Sequence, residues 1–288
     1  MKHNRMARRR LLNNILFLAP ASIIFLLFIV FPFLQGIPIS MTNWNGITVE
    51  RGNFVGLTNY IDILTQGNFN MAVKTTLIYT AITVIGTNIM GMLLALGIQR
   101  STKLNNILRS IYFMPFVISL ILAAYTWRYL YSDVVYAYLG INSPLGSMDH
   151  SIFAVAAIAI WRDAGYAMVV YLAGLNMIPS DYYEASMVEG AGPVRRFFSI
   201  TLPLVMPSVT ANVILTLANG LKQFDLVMAA TGGGPGKSTE TLALVIYKNI
   251  FEFMHAGYGQ AASIIFTVFV ALISSVISYL LRRREVEL

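Results

Sequence analysis

Long apolar stretches separated by short polar segments dominate the pattern of this sequence. Five stretches contain no Asp, Glu, Lys or Arg: residues 11–49, 75–99, 110–127, 197–221 and 253–281. A sixth apolar stretch, residues 151–179, is interrupted only by Arg162 and Asp163. A helix needs about 20 mostly apolar residues to cross a bilayer. The pattern therefore predicts six membrane-spanning helices, near residues 14–39, 73–98, 108–131, 151–175, 203–227 and 260–281.

The predicted helices form one all-α integral membrane domain. The first apolar stretch is too long for the core of a signal peptide and lacks a small-residue cleavage site, so we expect it to be retained. The expected organisation is a basic N-terminus at 1–13, a transmembrane domain at 14–281 and a short tail at 282–288.

Composition supports a membrane protein and excludes several kinds of site. Hydrophobic residues make up 57% of the chain and charged residues 11%, against about 25% charged in a soluble domain. The chain has no cysteine, which excludes disulfides and thiolate metal sites. Its three histidines are isolated at or beyond span ends, which predicts no metal site. The net charge of +7 is spread between apolar stretches, so we expect no nucleic-acid partner.

Lys and Arg are distributed unequally between alternate polar segments. Thirteen of the 20 basic residues lie in the N-terminus, the second and fourth loops and the tail. The opposite segments, residues 40–72, 132–150 and 228–259, contain only Arg51, Lys237 and Lys248. Because short cytoplasmic loops carry an excess of Lys and Arg, both termini are predicted to be cytoplasmic.

The stretch TGGGPGKST, at residues 231–239, superficially matches a phosphate-binding loop. That loop needs a glycine five residues before its Gly-Lys pair, and Thr231 occupies this position. The stretch also falls in the last external segment, where no ATP is present. We therefore predict a Gly/Pro turn, and no nucleotide site.

The fourth loop has an unusual composition for a short connection. The stretch SDYYEASMVEGA predicts a short helix with Ser180 as its N-cap and Glu184 near its first turn. Gly190 ends the run or allows another backbone to approach. The small and acidic side chains favour a protein-docking face, and an amphipathic helix resting on lipid is the alternative.

This loop resembles the EAA loop of membrane subunits in binding-protein-dependent ABC importers. The family pattern is Glu-Ala-Ala, three residues, Gly, nine residues, then Ile-x-Leu-Pro. The chain has Glu184-Ala185-Ser186, Gly190 and Ile200-x-Leu202-Pro203, so every spacing matches and only Ser186 departs from the pattern. The later stretches TGGGP, TETLALVIYKNIF and GYGQAAS resemble carbohydrate-type permeases related to the maltose permease.

The resemblance implies the fold of a type I ABC importer permease in a bacterial cytoplasmic membrane. Residues 179–203 would be the coupling loop, which docks on a cytoplasmic ATPase dimer. The implied partners are a second homologous permease subunit, an extracytoplasmic solute-binding protein and a sugar. ATP and Mg²⁺ would be bound by the ATPase, so we expect neither a cofactor nor a catalytic residue in this chain. The implied ATPase-docking residues are Glu184, Ala185, Ser186, Glu189, Gly190 and Ala191.

Polar residues within the fourth and fifth predicted spans are candidates for a substrate path, since such residues usually face a cavity or a partner. Thr216, Asn219, Gly220 and Gln223 share one helix face by their spacing. Trp161, Arg162, Asp163 and Tyr166 lie near mid-depth in the fourth span. Aromatic rings and amides suit a sugar, and in maltose-type permeases the path runs between these spans. Polar bonding between helices is the alternative for each residue.

Three other functions remain open at this stage. A glycerol-3-phosphate permease would share the loop and would need a cation on the path, which Arg162 or Lys222 could supply. A membrane enzyme should show paired acids or histidines at one interface. A secondary carrier would transport without an ATPase.

Overall fold

The structure is a computed structural model that describes residues 2–285, except residues 49, 51 and 66. Side chains are described from Asn14 onward, apart from residue 68. The side chains of the predicted basic N-terminus, Arg51 and the last three residues of the predicted tail thus lie outside the described residues. Within the described part the chain is helical, with one isolated β-bridge between Thr42 and Phe54.

The helices follow in chain order and are numbered here from the N-terminus. They are α1 Lys2–Phe25, α2 Phe31–Ser40, α3 Thr58–Thr65, α4 Gly67–Gly97, α5 Lys103–Val117, α6 Leu120–Tyr129, α7 Val135–Leu139, α8 Ser151–Asn176, α9 Ser180–Val188, α10 Pro193–Arg196, α11 Leu202–Leu204, α12 Met206–Leu221, α13 Asp225–Thr231, α14 Leu242–Tyr247 and α15 Ala256–Arg282. Five-residue π-helical turns connect several neighbours, at Leu26–Val30, Leu130–Val134, Phe197–Thr201 and Lys248–Glu252.

The chain divides into two compact units. The first comprises residues 1–65 and 246–264. In it the segment Asn14–Ser40, from α1 through α2, forms a nearly continuous apolar helix whose side chains are mostly exposed, as expected of a helix that faces lipid. The Asn59 amide on α3 donates to the carbonyls of Ser40 and Thr42, at 2.8 and 2.9 Å. These bonds hold α3 against the end of α2.

The second unit comprises residues 66–245 and 265–288, and α8 lies at its centre. Helices α4, α5 and α12 all pack against α8. Glycines allow two of these contacts: a Cβ at Gly91 would collide with Ala167, and one at Gly165 would collide with the backbone of Tyr112. Small residues of this kind let membrane helices approach closely, because lipid supplies no hydrophobic force between helices.

Four of the six predicted spans are present as long apolar helices: Asn14–Ser40, Phe69–Gly97, Ser151–Asn176 and Ala256–Arg282. The other two are bent pairs, with a bend of 98° between Lys103–Val117 and Leu120–Leu139 and of 69° between Pro193–Leu204 and Met206–Leu221. The number of spans reaches six only if each bent pair is one span. The predicted spans over 108–131 and 203–227 are therefore bent helix pairs in the structure, and neither is a single straight helix.

Each bend has a local cause. Pro115 lies in the last turn of α5, Ile118 is extended with ψ 136°, and the Ser119 hydroxyl then caps α6 by accepting from the backbone of Leu122 at 3.3 Å. In the second pair, prolines stand on both sides of the break at Val205 and remove backbone donors there.

Candidate functional site

The helix predicted in the fourth loop is present as α9, and a Schellman motif ends it. The N–H of Ala191 donates to the carbonyl of Ser186 at 2.9 Å, and the N–H of Gly190 donates to that of Met187 at 3.0 Å. Gly190 has φ 76°, a left-handed conformation that costs glycine the least. The glycine of the loop pattern is thus required by the backbone of the helix end.

The start of α9 differs from the expectation. Pro179 occupies the cap position without a side-chain bond, and Ser180 is the first helical residue, so the predicted Ser180 cap is wrong. Asp181, and not Glu184, is the acidic residue of the first turn, where it interacts favourably with the helix dipole. Glu184 is exposed one turn later.

Most of the predicted docking residues point away from the chain. Glu184, Ala185, Glu189 and Gly190 are exposed, Ala191 is partly exposed, and Ser186 is buried. The Ser186 hydroxyl donates to the carbonyl of Tyr183 at 2.7 Å, so a small residue is needed there by the chain's own packing. Sequence reasoning missed the apolar tip of the helix, Met187 and Val188, which are 53% and 90% exposed.

A side-chain contact links α9 to the start of the bent pair that contains α12. The hydroxyls of Tyr183 and Thr201 lie 3.1 Å apart, and Thr201 ends the π-helical turn that leads into α11 and α12. Behind the contact is a largely apolar cleft of about 470 Å³, lined by Tyr183, Phe197 and Thr201 among others. This contact joins α9 to the segment that leads into the fifth predicted span.

Arg162, predicted to line a substrate path, binds the break between α5 and α6. Its guanidinium donates to the carbonyls of Ile118 at 2.9 Å and Phe116 at 3.1 Å, and to the Asp163 carboxylate at 2.6 Å. It also lies 5.0 Å from the centre of the Phe116 ring. In this structure the charge pair bonds helix to helix, which is the alternative that the sequence left open for Arg162.

The aromatic residues predicted for the path lie on the same side of α8. The Tyr166 ring stacks on Phe116 with centroids 4.8 Å apart. Trp161 packs edge-on against Trp127 at 5.5 Å and is 37% exposed. Trp161, Arg162, Asp163 and Tyr166 are thus grouped around the bent pair formed by α5 and α6.

Thr216 belongs to a polar network between α4, α8 and α12. The Asn88 amide donates to the Thr216 hydroxyl at 3.1 Å and accepts from the Tyr171 hydroxyl at 2.5 Å. Thr216 donates to the carbonyl of Asn212, whose amide in turn donates to the carbonyl of Ala167 at 3.1 Å. Sequence reasoning missed Asn88, Tyr171 and Asn212, because their partners lie on other helices.

Of the remaining path residues, Asn219 and Gly220 lie on α12, and Gln223 lies just beyond its end at Leu221. A Cβ on Gly220 would lie 3.0 Å from the Thr80 side chain of α4, so this glycine is a close-packing position. Gln223 is buried and its carbonyl accepts from the Thr241 hydroxyl at 2.8 Å, whereas Asn219 is exposed. Among the described residues, no hydrogen bond, ion pair or ring contact joins the α12 residues to the group on α8.

The glycine-rich stretch at residues 231–239 is a closed turn after α13. Gly232 is left-handed with φ 60° and ends the helix. The hydroxyls of Thr231 and Thr239 lie 2.7 Å apart, and Thr239 also donates to the carbonyl of Gly234 at 2.9 Å. The turn's polar groups bond one another in this arrangement.

Comparisons with known proteins agree with this architecture. The family model of the binding-protein-dependent transport system inner membrane component matches residues 87–286. The multiple sugar-binding transport system permease protein MsmF of Streptococcus mutans is 31% identical, over 93% of this chain and 96% of that protein. A probable starch degradation products permease protein, AmyD, of Thermoanaerobacterium thermosulfurigenes is 29% identical, over 95% of both chains.

A solved structure shows the same fold. A chain of a bacterial ABC transporter involved in the import of the acidic polysaccharide alginate superposes with a TM-score of 0.82, at 21% identity, over 98% of this chain and 99% of that one. The exposed loop helix, the broken spans and the family match over most of the chain lead to one assignment. The chain belongs to the family of binding-protein-dependent transport system inner membrane components.

Proposed function

We propose that this chain is a permease subunit of an ATP-driven ABC importer that carries a sugar or oligosaccharide across a bacterial cytoplasmic membrane. An extracytoplasmic binding protein delivers the sugar, and a second, homologous permease completes the pathway. A cytoplasmic ATPase dimer binds ATP and Mg²⁺, and this chain takes no catalytic part.

The exposed face of α9 carries the proposal. This helix presents acidic, small and apolar side chains outward, and its buried side is linked through Tyr183 to the segment before α12. An interfacial helix that only rested on lipid would present a basic polar face. The exposed charges of α9 are Asp181 and Glu184, with Glu189 next to them, and all three are acidic. Protein docking therefore fits the surface better than binding to lipid.

A sugar is the substrate class that the relatives support. Proteins named for multiple sugars and for starch degradation products are similar to this chain over nearly its whole length, and glycerol-3-phosphate permeases are more distant relatives. A phosphate substrate would need a free cation on the path. Of the two candidate cations, Arg162 is already bonded to Asp163 and two carbonyls, whereas Lys222 is exposed, so the choice of a sugar rests on the relatives.

We further propose that the path runs between α8 and α12, along Tyr166, Thr216, Gly220 and Gln223. Thr216 and Gly220 contact α4 in this structure. A sugar would therefore reach them in a conformation in which α4 and α12 have moved apart.

The test of docking replaces Gly190 by arginine and compares it with Gly192→Arg. Neither glycine has a neighbour within 4 Å of a Cβ, but Gly190 has φ 76° and Gly192 has an ordinary φ of −69°. Gly190→Arg adds a long cation to the docking face and strains the helix end, so we expect loss of ATPase copurification and of ATP-dependent sugar uptake. Gly192→Arg should retain both.

A further variant separates strain from docking. Asn adopts the left-handed conformation more readily than other residues, so Gly190→Asn should keep most of the assembly. Membrane insertion should be normal in all three variants. Wild-type copurification and uptake in Gly190→Arg would refute the docking of α9.

A further inference from the structure

A largely apolar cavity with a few polar groups lies between the end of α6, the segment 132–146 and α13 with the turn after it, and none of the proposed path residues lines it. Its volume is about 600 Å³, and its walls include Arg128, Ser132, Ser143, Thr231, Gly232 and Pro235. Cavities of about 300–1,000 Å³ with few polar groups are typical of small-molecule sites. By the distribution of Lys and Arg, this end of the chain faces away from the cytoplasm.

Two polar groups in the wall have no partner within the described chain. The Ser143 hydroxyl is buried without a hydrogen bond. Arg128 lines the cavity, and the ion pair found among the described residues is the one between Arg162 and Asp163. A buried hydroxyl without a partner carries a free-energy cost that a ligand can offset, and the exposed Arg128 guanidinium is accessible to an anion from the solvent.

The walls next to Arg128 add surfaces suited to a sugar ring. A smaller cavity of about 330 Å³ shares Arg128 and Ser132 and is also lined by Tyr125 and Tyr129. Tyrosine rings pack against the C–H faces of a pyranose, and their hydroxyls bond to sugar hydroxyls. Asp133 lies in the wall of this smaller cavity and not in that of the larger one. An anionic group is therefore better placed in the larger cavity.

We propose that this cavity is an entry site for an acidic saccharide, whose carboxylate is bound by Arg128 and whose hydroxyls bond to Ser143. The proposal rests on the proposed function, because an importer receives its sugar at this side. A guanidinium holds a carboxylate through paired hydrogen bonds.

The test uses the absence of cysteine from the chain. Ser132→Cys places a thiol in the cavity wall, and its labelling by an impermeant maleimide is followed in vesicles that contain the assembled transporter. Sodium glucuronate and glucose, which differ in a carboxylate, are the probes, and sodium acetate is the control for a simple anion. Ala229→Cys, on α13, is a second reporter that lines the cavity, and Ser238→Cys lies outside it.

Glucuronate should protect both reporters at about tenfold lower concentration than glucose, since the charge-assisted bonds contribute about a factor of ten in affinity. Acetate should not protect them, and Ser238→Cys should be unaffected. Arg128→Gln should abolish the preference for glucuronate, and Arg128→Lys should retain part of it.

Three results would overturn the site. In the first, glucuronate and glucose protect the two thiols equally, or neither sugar protects them. In the second, acetate protects them as strongly as glucuronate does. In the third, they are protected only when the solute-binding protein is added. The last would make the cavity a protein-docking surface. ATP-dependent uptake measured in the same vesicles reports separately on the proposed function, because labelling needs no transport.

Discussion

Replacing Arg162 by leucine tests whether its guanidinium holds the broken pair α5–α6 against α8. The substitution removes the donor to the carbonyls of Phe116 and Ile118 and leaves the Asp163 carboxylate without its cation. These carbonyls lie at a break in the helix, where the regular backbone bonding is interrupted. Unsatisfied backbone groups are costly in an apolar medium, so losing these hydrogen bonds should lower the free energy of unfolding.

The expected loss is about 3 kcal/mol in the free energy of unfolding. Each hydrogen bond to a charged group contributes about 1.5–3 kcal/mol, but the three bonds share one side chain and do not add. Removing one partner of a buried ion pair costs about 3–5 kcal/mol. The two side chains are 16% and 23% exposed, so we take the lower end of that range.

The assay is unfolding in mixed micelles as a denaturing detergent is titrated in. Trp127 and Trp161 contact each other beside the break, so tryptophan fluorescence reports on it once the third tryptophan, Trp44, is replaced by phenylalanine in every variant. The stability of Arg162→Lys should lie between those of wild type and Arg162→Leu, because an ammonium keeps the charge but cannot form the same set of planar hydrogen bonds as a guanidinium. The double variant Arg162→Leu/Asp163→Leu should recover part of the loss, since it leaves no unpaired carboxylate. Arg100→Leu, at an exposed arginine, is the control.

A substrate role for Arg162 would give the opposite pattern. If Arg162→Leu unfolds like wild type while the KM for sugar uptake rises several-fold, the guanidinium contacts substrate and the helix-bonding role is refuted.

Three further predictions concern the network, the path and the orientation. Tyr171→Phe removes a bond between α8 and α4 and should cost about 0.6–1.7 kcal/mol in the same unfolding assay; no change would show that the bond contributes nothing. Gln223→Ala should slow uptake several-fold with normal assembly, whereas Gly220→Leu should lower both stability and uptake because it forces α12 away from α4. Unchanged uptake in both variants would remove this face from the path. Ser238→Cys should react with an impermeant thiol reagent from outside and Ser199→Cys only after permeabilisation, and the reverse pattern would invert the predicted orientation.

The sequence alone was sufficient for the class of fold and for the loop helix. Apolar length is a local property, and a helix in lipid satisfies its own backbone, so the spans near 14–39, 73–98, 151–175 and 260–281 correspond to long helices in the structure. The loop spacing around Gly190 is also local, since it encodes a helix and the left-handed residue that ends it.

The bends within two of the predicted spans depend on a few specific hydrogen bonds and prolines, and the hydropathy of a stretch does not report these. The stretch 110–127 is continuously apolar, yet Pro115 and the Ser119 cap turn the chain through 98° within it. The carbonyls of Phe116 and Ile118 are tolerated at this break because Arg162, 44 residues later than Ile118, donates to both of them. The sequence contained both residues and gave no sign that they meet.

Only the tertiary structure decides which neighbouring helix the polar residues of a span contact. Helical spacing predicted one stripe of Thr216, Gly220 and Gln223, but α12 ends at Leu221, before Gln223, and spacing does not tell whether a stripe faces a cavity or another helix. The structure places Thr216 on Asn88 and Gly220 on Thr80, both on α4. The physical reason is that lipid makes every polar side chain seek a partner. The partner is chosen by the packing of helices that are distant in sequence, and that choice is absent from any single stretch of the chain.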